Sequence, residues 1–389
     1  MKPHFIVISR AGRRSRGERS GGSLFSAVGA AFGLGSAVRF PAMCACYGGA
    51  FLAAYAVVLA VFAYPALRAE FALGLKHRGP FPLKGICPFG GFVGILSVAN
   101  CFIMCVVDIS VIAALSADGC SFYAEVNYGG SAAYMPALMP VWGSIAAIAL
   151  AVFASLSPRA RSRAARAAVL FQFACIAVLA LCGAGKGGLR LAPGVEFSAL
   201  LSPRIWLAAL GQALLSLSLA TGVMPSFARE IPSLRPSRAA GVVICANFAG
   251  SLLSCAAVFS LAGEAASAAG IDAAFQVYRF ALSAAFPCAV VCGIFGSVFY
   301  LSLVFTSFIS CSALARPPLA LLQQRLSPKG ASAVFFAFAL VAALPFCAGA
   351  SPAPLDFFGC ELLAPLCALA HAACFAFAVL TERSRRGII

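Results

Sequence analysis

Charged side chains are scarce in this sequence. Asp, Glu, Lys and Arg make up 10% of its 389 residues, whereas hydrophobic residues make up 62%, and the mean hydropathy is +0.97. A water-soluble domain of this composition would expose large apolar patches, so a soluble enzyme is excluded and a lipid bilayer is the solvent that fits. No linker separates a second folding unit, which predicts a single membrane domain.

Histidine is nearly absent, because only His4, His77 and His371 occur. They form no cluster of the kind that catalytic or metal sites need, so no chemical reaction is expected. Cysteine is frequent instead, with 17 residues, but these are scattered through apolar stretches and lack the spacing of zinc ligands. We expect reduced cysteines that pack as small side chains between helices.

Ten apolar stretches are long enough to cross a bilayer, which predicts an all-α membrane protein with about ten transmembrane helices. The first five run approximately over residues 23–45, 49–74, 91–116, 136–156 and 167–183. The second five run approximately over residues 205–228, 239–262, 282–314, 331–348 and 357–380.

The distribution of basic residues predicts the orientation of these helices. The formal net charge is +16, but Lys and Arg lie in short loops and tails rather than on a soluble face, so no nucleic-acid partner is expected. If the stretches alternate across the membrane, 22 of the 28 Lys and Arg residues fall on the side of both termini. Cytoplasmic loops are rich in Lys and Arg, which predicts a multi-pass inner-membrane protein with both termini cytoplasmic.

The arginines that precede the first apolar stretch give it the appearance of a signal peptide. That stretch contains Arg39 and Pro41, however, and ends in no convincing cleavage site. We therefore expect it to remain in the mature protein.

The first and sixth stretches contain residues that interrupt helices. These residues are Gly29, Gly33 and Gly35 in the first stretch, and Gly211, Gly222 and Pro225 in the sixth. Interrupted segments at matching positions of two five-helix halves are typical of inverted-repeat transporters with a site near the membrane midplane. The alternative is that these glycines only allow helices to pack closely.

The motifs around both breaks resemble those of one family. Gly29-Ala-Ala-Phe-Gly-Leu-Gly-Ser36, followed by Arg39-Phe-Pro41, resembles the first-helix signature of the neurotransmitter:sodium symporter family, and Trp206–Gly222 resembles its sixth helix. Weaker matches are Glu70-Phe-Ala-Leu-Gly74, Ala246-Asn247, Ser310 before Pro317, and Asp356-Phe357. The resemblance implies a five-plus-five inverted repeat over 23–381, with helices one to five at about 23–183 and six to ten at about 205–380. Cytoplasmic tails would cover 1–22 and 382–389.

By this resemblance the protein would be a symporter with two sodium sites. The first would use the Ala31 carbonyl with Ser36, Ser216 and Asn247, and the second the Gly29 and Phe32 carbonyls with Thr306 and Ser310. Unwound carbonyls and neutral side-chain oxygens are the hard ligands that such cations prefer. Ser36 stands where the family usually has Asn and keeps one oxygen, whereas Ile309 stands where it has Thr or Asp. The second site therefore loses an oxygen unless Thr306 or Ser307 supplies it, and we expect the first site to be the better preserved.

The resemblance also implies an amino-acid-like solute. It would bind at Ala30, Gly33, Leu34, Gly35, Val107, Leu215, Ser218 and Thr221. Exposed N–H groups at Leu34 and Gly35 would receive a carboxylate beside a half-helix N-terminus. Amine transporters of the family carry Asp at the position of Gly33, so Gly33 favours an amino acid. Against this, Val107 replaces the family's Tyr on helix three.

A chloride site is implied by Tyr55, Gln212, Ser216 and Ser251. Chloride-independent bacterial members carry a carboxylate at the position of Ser251, so its neutral hydroxyl predicts a need for external chloride. The alternative is that these small residues only pack the interface. Arg39 and Asp356 resemble the extracellular gate of the family.

Asp108 keeps alternatives open, because a mid-membrane carboxylate is costly unless it is paired, protonated or exposed to water. In one alternative, Asp108 carries the coupling in a proton-coupled or exchange transporter of the same fold. In the other, it only forms a hydrogen bond between helices. A non-transporting receptor or structural protein on this scaffold is a second class, suggested by Val107 and Ile309. Glu70 is expected to serve packing and ion pairing. A homodimer is an open alternative.

Overall fold

The computed structural model describes residues 16–33, 35–77, 83, 87–128, 136–192, 194, 197–231, 234–263 and 274–385. All regular elements in these ranges are helical, and both the first and the sixth helix are broken. The all-α membrane fold expected from the sequence is thus confirmed. Leu34, which was expected at the solute site, lies outside the described residues, as do positions 1–15 and 386–389 of the two tails.

The helices follow the predicted apolar stretches closely. In chain order they are α1 (Arg16–Ala31), α2 (Phe40–Tyr47), α3 (Ala50–Val58), α4 (Tyr64–Lys76), α5 (Gly90–Tyr128), α6 (Met139–Ala154), α7 (Pro158–Gly187), α8 (Pro203–Ser216) and α9 (Val223–Glu230). There follow α10 (Pro236–Leu261), α11 (Ala274–Ala285), α12 (Ala289–Leu314), α13 (Arg316–Leu322), α14 (Pro328–Cys347), α15 (Ala353–Phe357) and α16 (Ala364–Arg385). Three short π-helical turns adjoin these helices. Gly35–Arg39 leads into α2, Leu59–Ala63 joins α3 to α4, and Phe358–Leu363 joins α15 to α16.

Length and hydropathy alone support fewer spans than ten. Seven continuous helices in the described part of the chain are long and apolar enough to cross a bilayer, and eight are if Leu24–Ala31 and Gly35–Tyr47, bent by 43°, count as one. The fourth stretch forms the 16-residue α6, and the sixth stretch is divided between α8 and α9. The count of ten is therefore not established by this test.

Several helix ends differ from the predicted bounds for local reasons. α7 begins at Pro158, because the Ser157 side chain accepts a hydrogen bond from the Ala160 N–H and caps the helix. The basic residues that follow thus lie inside the helix and not in a loop. α11 is separate from α12 and ends before Pro287, since proline disfavours helical backbone in the residue before it.

Glycine allows two close approaches around the broken helices. A Cβ built on Gly250 of α10 would lie 2.1 Å from Cε2 of Phe32, so the Phe32 ring rests on the α10 backbone. A Cβ on Gly74 of α4 would lie 2.2 Å from the Pro225 carbonyl oxygen, so α4 and α9 touch backbone to backbone. Any larger residue would push these elements apart.

Candidate transport site

The second break spans the residues between α8 and α9. There Ser218 has a φ of 48°, Ala220 a φ of 59° and Gly222 a φ of 79°. Left-handed backbone costs roughly 1–2 kcal/mol for a residue with a Cβ, so neighbouring groups must hold Ser218 and Ala220 in place.

Two buried side chains hold the Ala220 backbone. The Ala220 N–H donates to Glu70 Oε1 at 2.6 Å, and the Ser97 hydroxyl donates to the Ala220 carbonyl at 2.9 Å. Glu70 is 4% exposed. We expected Glu70 to serve packing and ion pairing, and the structure gives it a different partner, the unwound backbone of the sixth helix. In the sequence, Glu70 could be noticed as a carboxylate within an apolar helix, because such a carboxylate needs a partner.

A cavity of about 520 Å³ lies between the two breaks and α5. The predicted solute residues that line it are Ala30, Gly33, Gly35, Val107, Leu215 and Ser218. Thr221 is buried outside this lining, where its hydroxyl donates to the Ser218 carbonyl at 2.6 Å. This hydrogen bond lies within the second break. A cavity of this volume suits a small organic solute.

The residues of the first predicted sodium site lie together beside this cavity. Asn247 Nδ2 donates to the Ala31 carbonyl at 2.7 Å and to Ser36 Oγ at 2.6 Å. Tyr55 donates to Asn247 Oδ1 at 2.9 Å, and its hydroxyl oxygen lies 3.0 Å from Ser216 Oγ. We call these five residues the Asn247 network. It joins α1, the π turn after it, α3, α8 and α10, all within buried surroundings.

The residues of the second predicted sodium site are less well gathered. A Cβ on Gly33 would lie 3.0 Å from Ser310 Oγ, so Ser310 faces the first break. A Cβ on Gly29 would lie 3.2 Å from Cγ2 of Ile309, which places an apolar methyl group where the family has an oxygen. The Thr306 hydroxyl donates to the Ser302 and Leu303 carbonyls of its own helix, both at 3.1 Å.

Of the four predicted chloride residues, Tyr55 and Ser216 belong to the Asn247 network, and Gln212 and Ser251 lie on the same two helices as Ser216 and Asn247. Gln212 Nε2 donates to the Gly35 carbonyl at 2.6 Å, while its Oε1 has no partner in the described part of the chain. Ser251 lies one turn after Asn247 on α10 and is fully buried, and its hydroxyl has no hydrogen-bond partner among the described residues. A buried hydroxyl without a partner is costly, so this position has an unused donor.

Two carboxylates and one guanidinium complete the cavity. Arg39 Nη1 lies 3.8 Å from Asp356 Oδ2, both residues line the cavity, and the two side chains are 12% and 31% exposed. The predicted gate residues are thus brought together. Asp108 lines the cavity from α5, is 8% exposed, and has no hydrogen-bond partner at Oδ2 within the described ranges.

Comparison with known proteins agrees with this architecture. The family model described as the sodium:neurotransmitter symporter family matches residues 18–125. An uncharacterised sodium-dependent transporter of Methanocaldococcus jannaschii is 27% identical over 390 residues, which cover 90% of this chain and 78% of the relative. A crystal structure of MhsT in complex with L-phenylalanine matches with a TM-score of 0.77 at 19% identity, over 89% of this chain and 86% of that one. These similarities confirm the resemblance to the neurotransmitter:sodium symporter family that the motifs of the two broken helices indicated.

Proposed function

We propose that the chain is a sodium-coupled symporter that carries an amino acid or a related small solute by alternating access. The observation that carries this proposal is the Asn247 network, which gathers oxygen atoms at the break of the first helix, directly beside the cavity. Broken helices of this kind expose the carbonyls that coordinate coupling ions in inverted-repeat transporters. The printed description of the archaeal relative, a sodium-dependent transporter, also supports it.

The Asn247 amide explains how a cation fits this network. The Ala31 carbonyl and Ser36 Oγ both accept from the partly positive amide nitrogen, at 2.7 and 2.6 Å. A sodium ion would satisfy the same two acceptors, and rotation of the amide by half a turn would add Oδ1 as a ligand. Because these atoms come from α1, its π turn and α10, sodium at this point would tie the three elements together. We assign coupling to this site, since Ile309 removes an oxygen from the second.

We also propose that transport depends on chloride. The unused Ser251 hydroxyl and the neighbouring Tyr55, Gln212 and Ser216 would supply donors to an anion. None of the four carries a charge, so a chloride ion would offset the positive charge of the nearby sodium ion. Attraction between such ions is far stronger in a buried site than in water.

We also propose an inner-membrane location with both termini in the cytoplasm, because 22 of the 28 basic residues fall on that side.

The decisive experiment is solute uptake by purified protein in proteoliposomes. We expect an inward sodium gradient to drive accumulation of an amino acid or a related amine, whereas an equal potassium gradient would not. Accumulation that is equally strong without sodium would contradict the proposal. A second candidate, proton coupling through Asp108, is favoured by its buried carboxylate. Uptake driven by a proton gradient in the complete absence of sodium would support that candidate instead.

A further inference from the structure

Asp108 is the feature of the cavity that sodium coupling leaves unexplained. It lies midway along α5 and 8% of it is exposed, yet its Oδ2 atom has no hydrogen-bond partner and no ion pair among the described residues. A carboxylate that joined two helices would be expected to bond to one of them. Asp108 instead lines the cavity, and the part of it that is exposed borders the space that a solute would occupy.

The charges around the cavity do not balance. Among the described residues of its lining, Arg39 supplies one positive charge, and Asp108 and Asp356 supply two negative charges. Arg39 lies 3.8 Å from Asp356, so that pair is close to neutral, and Asp108 in its ionised form has no counter-charge among the described lining residues. A buried carboxylate without a counter-charge is unfavourable, and a cation that enters the cavity would relieve this.

The sodium ion of the proposed coupling site is not that cation. Asn247 and Ser36, which hold that site, are buried outside the cavity lining, and of its predicted ligands only Ser216 reaches the lining that contains Asp108. The part of the lining that α5 contributes also differs from a cation cage, because Ser110 is its only polar residue besides Asp108 and the others are Met104, Val107, Val111 and Ala114. A mostly apolar wall that carries a carboxylate suits an organic molecule with a positive group.

We propose that Asp108 binds the ammonium group of the transported solute. The inference rests on the proposed transport function and names the chemical class of the solute: a primary amine or an amino acid whose ammonium nitrogen faces α5. The ammonium group is then the essential recognition element, and a carboxylate on the solute is dispensable. Asp108 in this position would also repel a solute that carries a carboxylate and no amine.

Nine probes separate these groups on three carbon skeletons. They are L-alanine, ethylamine and propanoate; L-leucine, 3-methylbutylamine and 4-methylpentanoate; and L-phenylalanine, 2-phenylethylamine and 3-phenylpropanoate. Binding is measured by thermal stabilisation of the purified full chain, with and without sodium. We expect at least one amine to bind and no carboxylate without an amine to bind. Asp108→Asn should weaken amine binding by about thirtyfold or more, because one partner of a buried charge pair is lost.

Two further variants control for folding. Asp108→Glu keeps the charge and should keep the preference for amines. Asp118→Asn removes a carboxylate from the same helix outside the cavity lining and should bind as the parent does. At alkaline pH and without solute, Asp108→Asn should melt at a higher temperature than the parent, because the ionised parent buries an uncompensated charge. That measurement does not depend on the choice of probe.

The outcomes distinguish this inference from the proposed function. Amine binding that depends on Asp108 but not on sodium would support the inference and contradict sodium coupling. Sodium-dependent binding of an amino acid that Asp108→Asn leaves unchanged would support the symporter and overturn the inference. The inference is also wrong if no amine binds, or if protons stabilise the parent, but not Asp108→Asn, in place of any amine.

Discussion

Glu230 Oε1 lies 2.9 Å from Arg316 Nη1 and 3.6 Å from Arg161 Nη2. One carboxylate at the end of α9 therefore holds the start of α13 and the start of α7. The Arg316 guanidinium also lies 3.9 Å from the centre of the Phe227 ring. Burial lowers the pKa of Arg316 to about 10, and Glu230 opposes that shift, so the Arg316 guanidinium stays charged near neutral pH. The cluster fixes the inner half of the broken sixth helix on the side that we propose is cytoplasmic.

Replacing Glu230 with Gln should loosen α9. A hydrogen bond to a charged group contributes about 1.5–3 kcal/mol, and Arg316 would keep only a weaker neutral partner. We expect faster amide hydrogen exchange across Val223–Glu230, measured by mass spectrometry. Glu125→Gln is the control, since it breaks the more exposed pair with Arg279, at 2.8 Å. Equal exchange of α9 in parent and Glu230→Gln would show that the cluster does not hold this helix.

Replacing Asn247 with Leu should abolish sodium-stimulated solute binding. The change removes the only side chain that contacts Ala31, Ser36 and Tyr55 together among the described residues. Titration of sodium against thermal stability would measure the loss. Asn127→Leu makes the same substitution on α5, where the amide donates to the Tyr123 carbonyl of its own helix and to no other described residue, and should leave sodium binding intact. Normal sodium dependence in Asn247→Leu would refute the assignment of this site.

Replacing Arg39 with Ala should speed solute release and leave folding largely intact. The pair with Asp356 is partly exposed at 3.8 Å, and such pairs contribute up to about 1 kcal/mol, or roughly a fivefold change in dissociation rate. Release of a radiolabelled probe from the purified protein measures this rate. Asp356→Asn should have the same effect, and the double variant should add little, because both changes break one contact. Additive effects would mean that the two residues act separately.

Replacing Ser251 with Glu should remove the need for chloride. The substituted carboxylate would supply permanently the negative charge that we propose chloride brings, although return of the empty carrier would then require the Glu to take up a proton. Uptake in proteoliposomes with gluconate in place of chloride compares the parent with Ser251→Glu. Ser251→Gln, of similar size and no charge, should stay chloride-dependent. Full activity of the parent in gluconate would show that the four donors form no functional chloride site.

Local features of the sequence predicted most of the fold. The apolar stretches correspond to helices because length and hydropathy are local properties, and the breaks fall near Gly33 and Gly222 as glycine placement indicated. Contacts between distant residues were harder to predict. Glu70 meets Ala220 across 150 positions, and Glu230 meets Arg316 across 86. A single sequence shows that a carboxylate needs a partner, but only the packing of the helices determines which one.

The backbone contact between Gly74 and Pro225 has a mechanical consequence. Residues Ala50–Lys76 form one continuous rod that carries Tyr55, a member of the Asn247 network, near one end and Gly74 near the other. At a rise of 1.5 Å per residue these two positions are about 28 Å apart. Since nothing compressible separates Gly74 from Pro225, a tilt of the rod at the ion site would displace α9 by direct push. The rod would thus act as a lever between the Asn247 network and the side of the protein that we propose is cytoplasmic.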